Sequence, residues 1–412
     1  MKTNRLKKAC YMSNITMAVV GNLSPLLFLT FRSMYGISYS LLGLLVLINF
    51  CTQLGVDLIF SFFSHKFNIP KVIKTMPIIG AAGLLVFSVA PWIFPHHVYI
   101  GLVLGTILFS AASGLAEVWI SPIIAALPAD DPDREMSKLH SIYAWGVVGV
   151  ALFATLFLLA FGSENWQYLA MILMLIPISA FVLFHGTKIP DMDAPEKTSG
   201  VLSLFKNPGL WLCVAAIFLG GASEVTMAQW CSGYLERALE IPKVWGDILG
   251  VALFSVMLGT GRTLYAKIGK NITKVLFLCM CGATLCYLLA AVSPFPVLGL
   301  FACAFTGFCV SMLWPGSLIV ASDRFPQGGV VIFALMAAGG DFGASVGPQL
   351  VGVVTDFAMA NDSLVAFAQS MSIMPEQLGM KLGILVGMLF PLVGIPVTLA
   401  LWKGKNKNTE NA

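Results

Sequence analysis

The chain is expected to fold as an all-α polytopic membrane protein: twelve transmembrane helices in two pseudo-symmetric six-helix halves. Three observations carry this. Hydrophobic residues make up 58% of the chain and charged residues 11%, with a mean hydropathy of +0.87, far from a soluble domain. One unit repeats along the chain, about 20 apolar residues and then a short polar turn, and about 20 helical residues cross a hydrocarbon core of about 30 Å. The apolar runs are continuous rather than alternating, which excludes a transmembrane β-barrel.

The spans follow in order. Span 1 covers 11–31, after a basic stretch (Lys2, Arg5, Lys7, Lys8) that resembles the start of a signal peptide. No small-residue cleavage site closes it and the apolar stretch is long enough to cross, so an uncleaved first helix is expected. Spans 2 to 6 cover 38–62, 72–93, 98–126, 139–161 and 166–186. The longest charged connection, Thr187 to Asn207, contains Asp191, Asp193, Pro195, Glu196 and Lys197 and divides the chain into 1–187, a linker 188–207, and 208–412. Spans 7 to 11 cover 208–233, 245–268, 273–292, 296–321 and 329–357. The stretch 358–380, broken by Asp362, Ser363, Pro375 and Glu376, reads as an extended loop with room for an interfacial helix, and span 12 covers 381–402.

Orientation follows from Lys and Arg. With the N-terminus inside, 20 of the 24 basic residues fall on the cytoplasmic side and only Arg32, Arg237, Lys243 and Lys381 outside, so both termini are expected in the cytoplasm of a cell (plasma or inner) membrane. The net charge of +4 reflects that topology and gives no reason to expect nucleic-acid binding. All nine cysteines lie in or beside spans and are expected as free thiols; Cys279 and Cys281 lack the spacing of a metal site. No P-loop and no His-Glu-x-x-His motif appears, so neither ATP-driven pumping nor intramembrane hydrolysis is expected, nor any cofactor.

The halves show a faint repeat at an offset near 200. A basic loop follows span 2 (Lys66 to Val72) and another follows span 8 (Lys267 to Val275), and Gly114 and Pro122 are spaced like Gly307 and Pro315. Twelve spans, a long central loop and these basic loops resemble the major facilitator superfamily. Its Gly-x-x-x-Asp-Arg-x-Gly-Arg-Arg loop pattern survives as the basic residues around His65, Lys66 and Lys71, and around Arg262, Lys267 and Lys270. Within it, Gly114-Leu-Ala-Glu117 followed by Ser121-Pro122, Gly221-Ala-Ser-Glu224 with Gln229-Trp230, and Gly340-Asp341-x-Gly343 with Gly347-Pro348 resemble the fucose–proton symporter branch. The resemblance implies parallel six-helix halves, alternating access and a role in proton coupling and substrate binding for the acid at Glu117.

Acidic residues inside apolar spans are costly and are retained for a reason. On span 4, Thr106, Ser110, Ser113, Glu117 and Ser121 share one narrow face at about 100° per residue; such a face either lines a polar cavity or bonds neighbouring helices. On span 2, Asn49, Gln53 and Asp57 recur every four residues, as a cavity wall or gate or as an interhelical lock. The resemblance places a second acid on span 1, where this chain has Asn22-Leu-Ser-Pro25; Glu224 on span 7 is the candidate to supply it from the other half, and Asn22 is kept as a substrate contact. Asp341 accompanies Gly339, Gly343 and Gly347, whose spacing suits close helix packing; it points roughly away from Gly343 and either lines the pathway or is a satisfied packing residue. His140 and Tyr143 share a face of span 5, as a proton relay and a polar contact or as boundary residues. Gln229, Trp230 and Trp314 are candidate substrate contacts, against the commoner use of membrane tryptophans in packing. Arg262 and Asp247 fall near opposite ends of span 8, about 22 Å apart at 1.5 Å per residue, and cannot pair.

The expectation is a secondary transporter of a small polar solute, a sugar or polyol, driven by proton symport, and the family resemblance implies a monomer. A drug or metabolite exporter on the same fold would want a more apolar cavity than the hydroxyl face of span 4 provides. A receptor that binds without transporting needs no proton-linked acid.

Overall fold

A computed structural model describes residues 2–128, 132–190, 205–325 and 329–410, so most of the expected linker 188–207 lies outside it, as do the side chains of His65 and His140. Among these residues every regular element is a helix: α1 (Lys2–Leu26), α2 (Phe28–Tyr35), α3 (Tyr39–Phe63), α4 (Ile69–Ile93), α5 (Val98–Ala125), α6 (Pro132–Phe161), α7 (Trp166–Leu173), α8 (Leu175–Phe184), α9 (Pro208–Ala238), the short α10 (Lys243–Trp245), α11 (Leu253–Ile268), α12 (Ile272–Val292), α13 (Pro296–Val310), α14 (Leu313–Arg324), α15 (Gly329–Ala360), α16 (Asp362–Ser370), α17 (Pro375–Gly387) and α18 (Leu389–Glu410). Ten stretches are long and apolar enough to cross a membrane, and two bent helix pairs bring the number to twelve. The protein is an integral, multi-pass, all-helical membrane protein.

The differences from the expected spans have local causes. Span 1 is not one straight helix; it bends by 45° between α1 and α2, just after Pro25. Spans 6, 10 and 12 break at Met174, at Ser311–Met312 and at Met388. Each break lies three residues before a proline (Pro177, Pro315, Pro391). A proline cannot donate to the carbonyl four residues back and its ring crowds that carbonyl, so the helix opens there. The start of span 8, Gly246–Ala252, is wound as a π-helix around buried Asp247, which accepts from Ser232 and pairs with Lys243 at 3.2 Å. The stretch after span 11 turns by 81° into α16, where the Asn361 side chain accepts the Leu364 N–H at 3.1 Å. Asn68, Asn207 and Asn271 cap α4, α9 and α12 in the same way, satisfying donors that a helix start leaves open.

Packing divides the chain into two units, Met1–Ile37 with Ile48–Glu196, and Ser38–Leu47 with Lys197–Ala412. In the first, α4 lies along α5, and α1 lies against α6 and α8. The cytoplasm-facing ends expected of α1 and α6 are joined by charge: Lys7 meets Glu135 at 3.0 Å and the Tyr11 hydroxyl donates to the same carboxylate at 3.0 Å. In the second, α9 is the central element, packed by α13, α14, α15, α17 and α18. The first turn of α3 belongs to this unit. Ser38 accepts the Leu41 N–H, and Asp356 of α15 accepts those of Tyr39 (3.1 Å) and Ser40 (2.6 Å). Outward surfaces carry large apolar side chains, Leu159, Phe161 and Val297 among them, as lipid contact requires.

Candidate functional site

In the first unit the polar stripes of α3 and α5 face each other. The Ser110 hydroxyl donates to Asn49 Oδ1 at 2.5 Å, and the Ser113 hydroxyl to Gln53 Oε1 at 3.3 Å. One turn further along, Gly114 lies against α3: a Cβ there would stand 3.1 Å from the Gln53 carbonyl and 3.2 Å from Asp57 Oδ1. Asp57 is buried, its Oδ1 has no hydrogen-bond partner, and it lies within electrostatic reach of Glu117. The structure therefore brings together Asn49, Gln53, Asp57, Ser113 and Glu117.

Glu117 differs from its neighbours. Ser113, Ala116 and Ile120 around it are buried, whereas Glu117 is exposed. The lipid-facing stripe of α5 is marked by exposed Ile100, Leu104, Ile107 and Leu108. Stepping about 100° per residue puts Glu117 roughly 120° from that stripe and at the middle of the hydroxyl face. Its access is thus on the polar side of the helix. Ser121, half-buried, continues the face. Elsewhere in this unit, half-buried Asn22 donates to the Ala18 carbonyl of its own helix at 2.9 Å, and the exposed Tyr143 brings its hydroxyl close to Gly21.

In the second unit Glu224 lies near the middle of α9. Its Oε1 meets Arg262 Nη2 of α11 at 3.5 Å, while its Oε2 is buried with no hydrogen-bond partner. Arg262 Nε donates to the Ser311 carbonyl at 3.1 Å. That carbonyl is the one Pro315 leaves without its helical donor. Asp341 is buried on α15, beside Gly340, whose carbonyl closes on Gly221 of α9. The glycines of α15 form the seam with α9: a Cβ on Gly343 would strike the Phe218 carbonyl, one on Gly347 the Thr226 hydroxyl, and one on Gly339 would stand 3.1 Å from Val214. The Trp314 ring lies over Gly340 and Gly221. Gln229 and Trp230 are buried, and the Trp230 indole donates to the Pro348 carbonyl at 2.9 Å and meets Tyr39 at a tilt. The structure does not bring Trp230 to an open surface. Gly343-Ala344-Ser345-Val346-Gly347 has the spacing of a hydrolase nucleophile elbow, but it sits within continuous α15 with the Ser345 hydroxyl on the Phe342 carbonyl, not on the strand-to-helix turn that chemistry needs.

Sequence reasoning missed the Glu224–Arg262–Ser311 connection. Arg262 reads as one of the cytoplasmic charges although it lies inside the apolar run 245–268, and Pro315 marks the acceptor four residues upstream. Asp247, by contrast, is paired with Lys243.

Apolar helices in two units, with facing polar stripes and charged groups at mid-helix, define a membrane transporter rather than an enzyme. The sequence profile of the Major Facilitator Superfamily matches residues 9–348, and the chain belongs to that family of secondary transporters. Solved structures with the same fold include a bacterial homolog of the human lysosomal transporter Spinster in an inward-facing, occupied conformation (13% identity, 97% of this chain and 96% of that one, TM-score 0.72). A nucleoside transporter, NupG, is also similar (15% identity, 97% and 99%, TM-score 0.70). So is the Escherichia coli fucose:proton symporter FucP (15% identity, 96% and 99%, TM-score 0.57). No curated protein sequence matches the chain.

Proposed function

We propose that this protein carries a small polar solute, a sugar or polyol, by proton symport through alternating access, with Glu117 as the principal proton-coupling group and Glu224 as a second. The observation that carries the reading is the position of Glu117, accessible at the centre of the hydroxyl face of α5 and away from its lipid-facing stripe. A carboxyl in that place changes the charge of the helix pair when it binds a proton, and a proton on either Asp57 or Glu117 removes their mutual repulsion. Rearrangement of the helices through a closed state is less costly without an uncompensated charge. Coupling follows when the empty, ionised carrier cannot make that passage. Asn49, Gln53, Ser113 and Ser121 supply the amides and hydroxyls that sugar hydroxyls bond, with Asn22, Tyr143, Gln229 and Trp314 as further contacts. One protein of the same fold, a fucose:proton symporter, supports the same chemistry.

The charge distribution supports a cell-membrane protein with both termini in the cytoplasm and halves at 1–187 and 208–412; the family resemblance supports a monomer as the working unit. The test is transport by the purified protein in liposomes with an imposed pH gradient and a panel of sugars and polyols. Glu117→Gln should abolish uphill accumulation while sparing solute exchange; undiminished uphill uptake by that variant refutes the assignment.

A further inference from the structure

The arginine beside Glu224 is held in a way that proton coupling alone does not require. Its contact with Glu224 is a single 3.5 Å approach from Nη2, longer than the roughly 2.7–2.9 Å of a firm charge-assisted hydrogen bond. The guanidinium is nonetheless fixed, because Nε–H is held by the Ser311 carbonyl. Among the described residues no acceptor faces Nη1, and the side chain is 44% exposed whereas that of Glu224 is 16% exposed. A planar fork held at its base, loosely engaged at one tip and not enclosed by protein, is the geometry that takes a carboxylate through two parallel hydrogen bonds. The unpartnered, buried Glu224 Oε2 shows that the present pairing leaves the acid incompletely satisfied.

We propose that Arg262 is the recognition site for a carboxylate on the transported solute, so that the substrate is a sugar acid rather than a neutral sugar, and that Glu224 takes up one proton when this anion displaces it from Arg262. This rests on the proton-symport reading above. The charge tally explains the coupling. Arg262 with ionised Glu224 is neutral. Arg262 with the solute carboxylate and protonated Glu224 is neutral as well. The intermediate with both carboxylates ionised carries one uncompensated negative charge, and the largely buried Glu224 carboxyl is the one that loses its counter-charge, which is disfavoured. Each anion bound there therefore brings one proton. The other titratable groups on the elements packed around Glu224 are Asp341, buried on α15 beside the Gly340–Gly221 contact, and Tyr287 on α12, whose hydroxyl is engaged in donating to the Ser223 carbonyl. A phosphate dianion would leave an excess charge even with Glu224 protonated, so a carboxylate fits where a sugar phosphate does not.

The experiment uses the full chain in liposomes with radiolabelled D-glucuronate, D-gluconate and D-glucose, with glucose 6-phosphate as competitor. The acids should accumulate down an imposed pH gradient, and the phosphate should not compete. Arg262→Gln should weaken glucuronate binding by at least about tenfold, and Arg262→Lys, which keeps the charge but loses the fork, by about threefold or more. Glu224→Gln should bind glucuronate as tightly as the native protein or tighter, with binding no longer dependent on pH. Accumulation of glucose with neither acid carried nor competing overturns this proposal and leaves proton symport standing. Failure of every solute overturns both. Unchanged glucuronate affinity in Arg262→Gln, or in Arg262→Lys where the glutamine variant does not fold, also overturns it.

Discussion

Two kinds of contact hold the polar residues of this protein, and their magnitudes differ. The Ser110–Asn49 hydrogen bond is short and buried, yet interhelical bonds of this kind in membranes average only about 0.6 kcal/mol. Gly343 lies where any side chain would meet the Phe218 backbone, and overpacking of that sort costs about 1–3 kcal/mol. Gly343→Val should therefore lower the melting temperature in detergent markedly more than Ser110→Ala, and equal effects would show that the seam yields easily. The residue pattern was legible where periodicity exposes it: Asn49, Gln53 and Asp57 recur every four positions, and the face of α5 was readable in full. The partner of Glu224 was not, because a single arginine 38 positions away carries no periodicity and its meaning depends on how α9 and α11 are placed.

At the scale of elements, the twelve spans were readable because hydrophobicity alone specifies them, whereas their internal breaks required prolines to be read as missing donors. The α1–α6 junction shows what loop charges do beyond setting topology. Lys7, and then the Tyr11 hydroxyl, hold the Glu135 carboxyl below its usual range. A lowered folded-state value means that the stabilisation is present above the unfolded value and is lost as pH falls through the folded one. Glu135→Gln should reduce the melting temperature at pH 7, and the gap between variant and native protein should begin to close as pH falls below about 4, where the unfolded carboxyl takes up its proton, and vanish once the folded carboxyl is protonated as well. A gap that persists in acid would assign the effect to packing instead.

For the whole molecule, the boundary drawn from the sequence and the boundary drawn by packing are not the same kind of line. The charged connection at 188–207 follows composition, which sees loops. Packing assigns Ser38–Leu47 to the unit otherwise built from Lys197 onward, and no local property of those ten residues announces it. Asp356, 317 positions from Tyr39, anchors that segment by accepting its first backbone donors. Asp356→Ala should cost about 1 kcal/mol, the typical value of a lost helix cap, and lower the melting temperature by a few degrees; no change would mean that solvent serves those amides equally well. The arrangement also alters what a proteolytic nick can accomplish. Because the polypeptide passes from one packing unit to the other at 37/38, at 47/48 and again at 196/197, severing it after span 6 removes one of three covalent crossings and leaves the ten residues 38–47 on a different fragment from the rest of the unit they pack in.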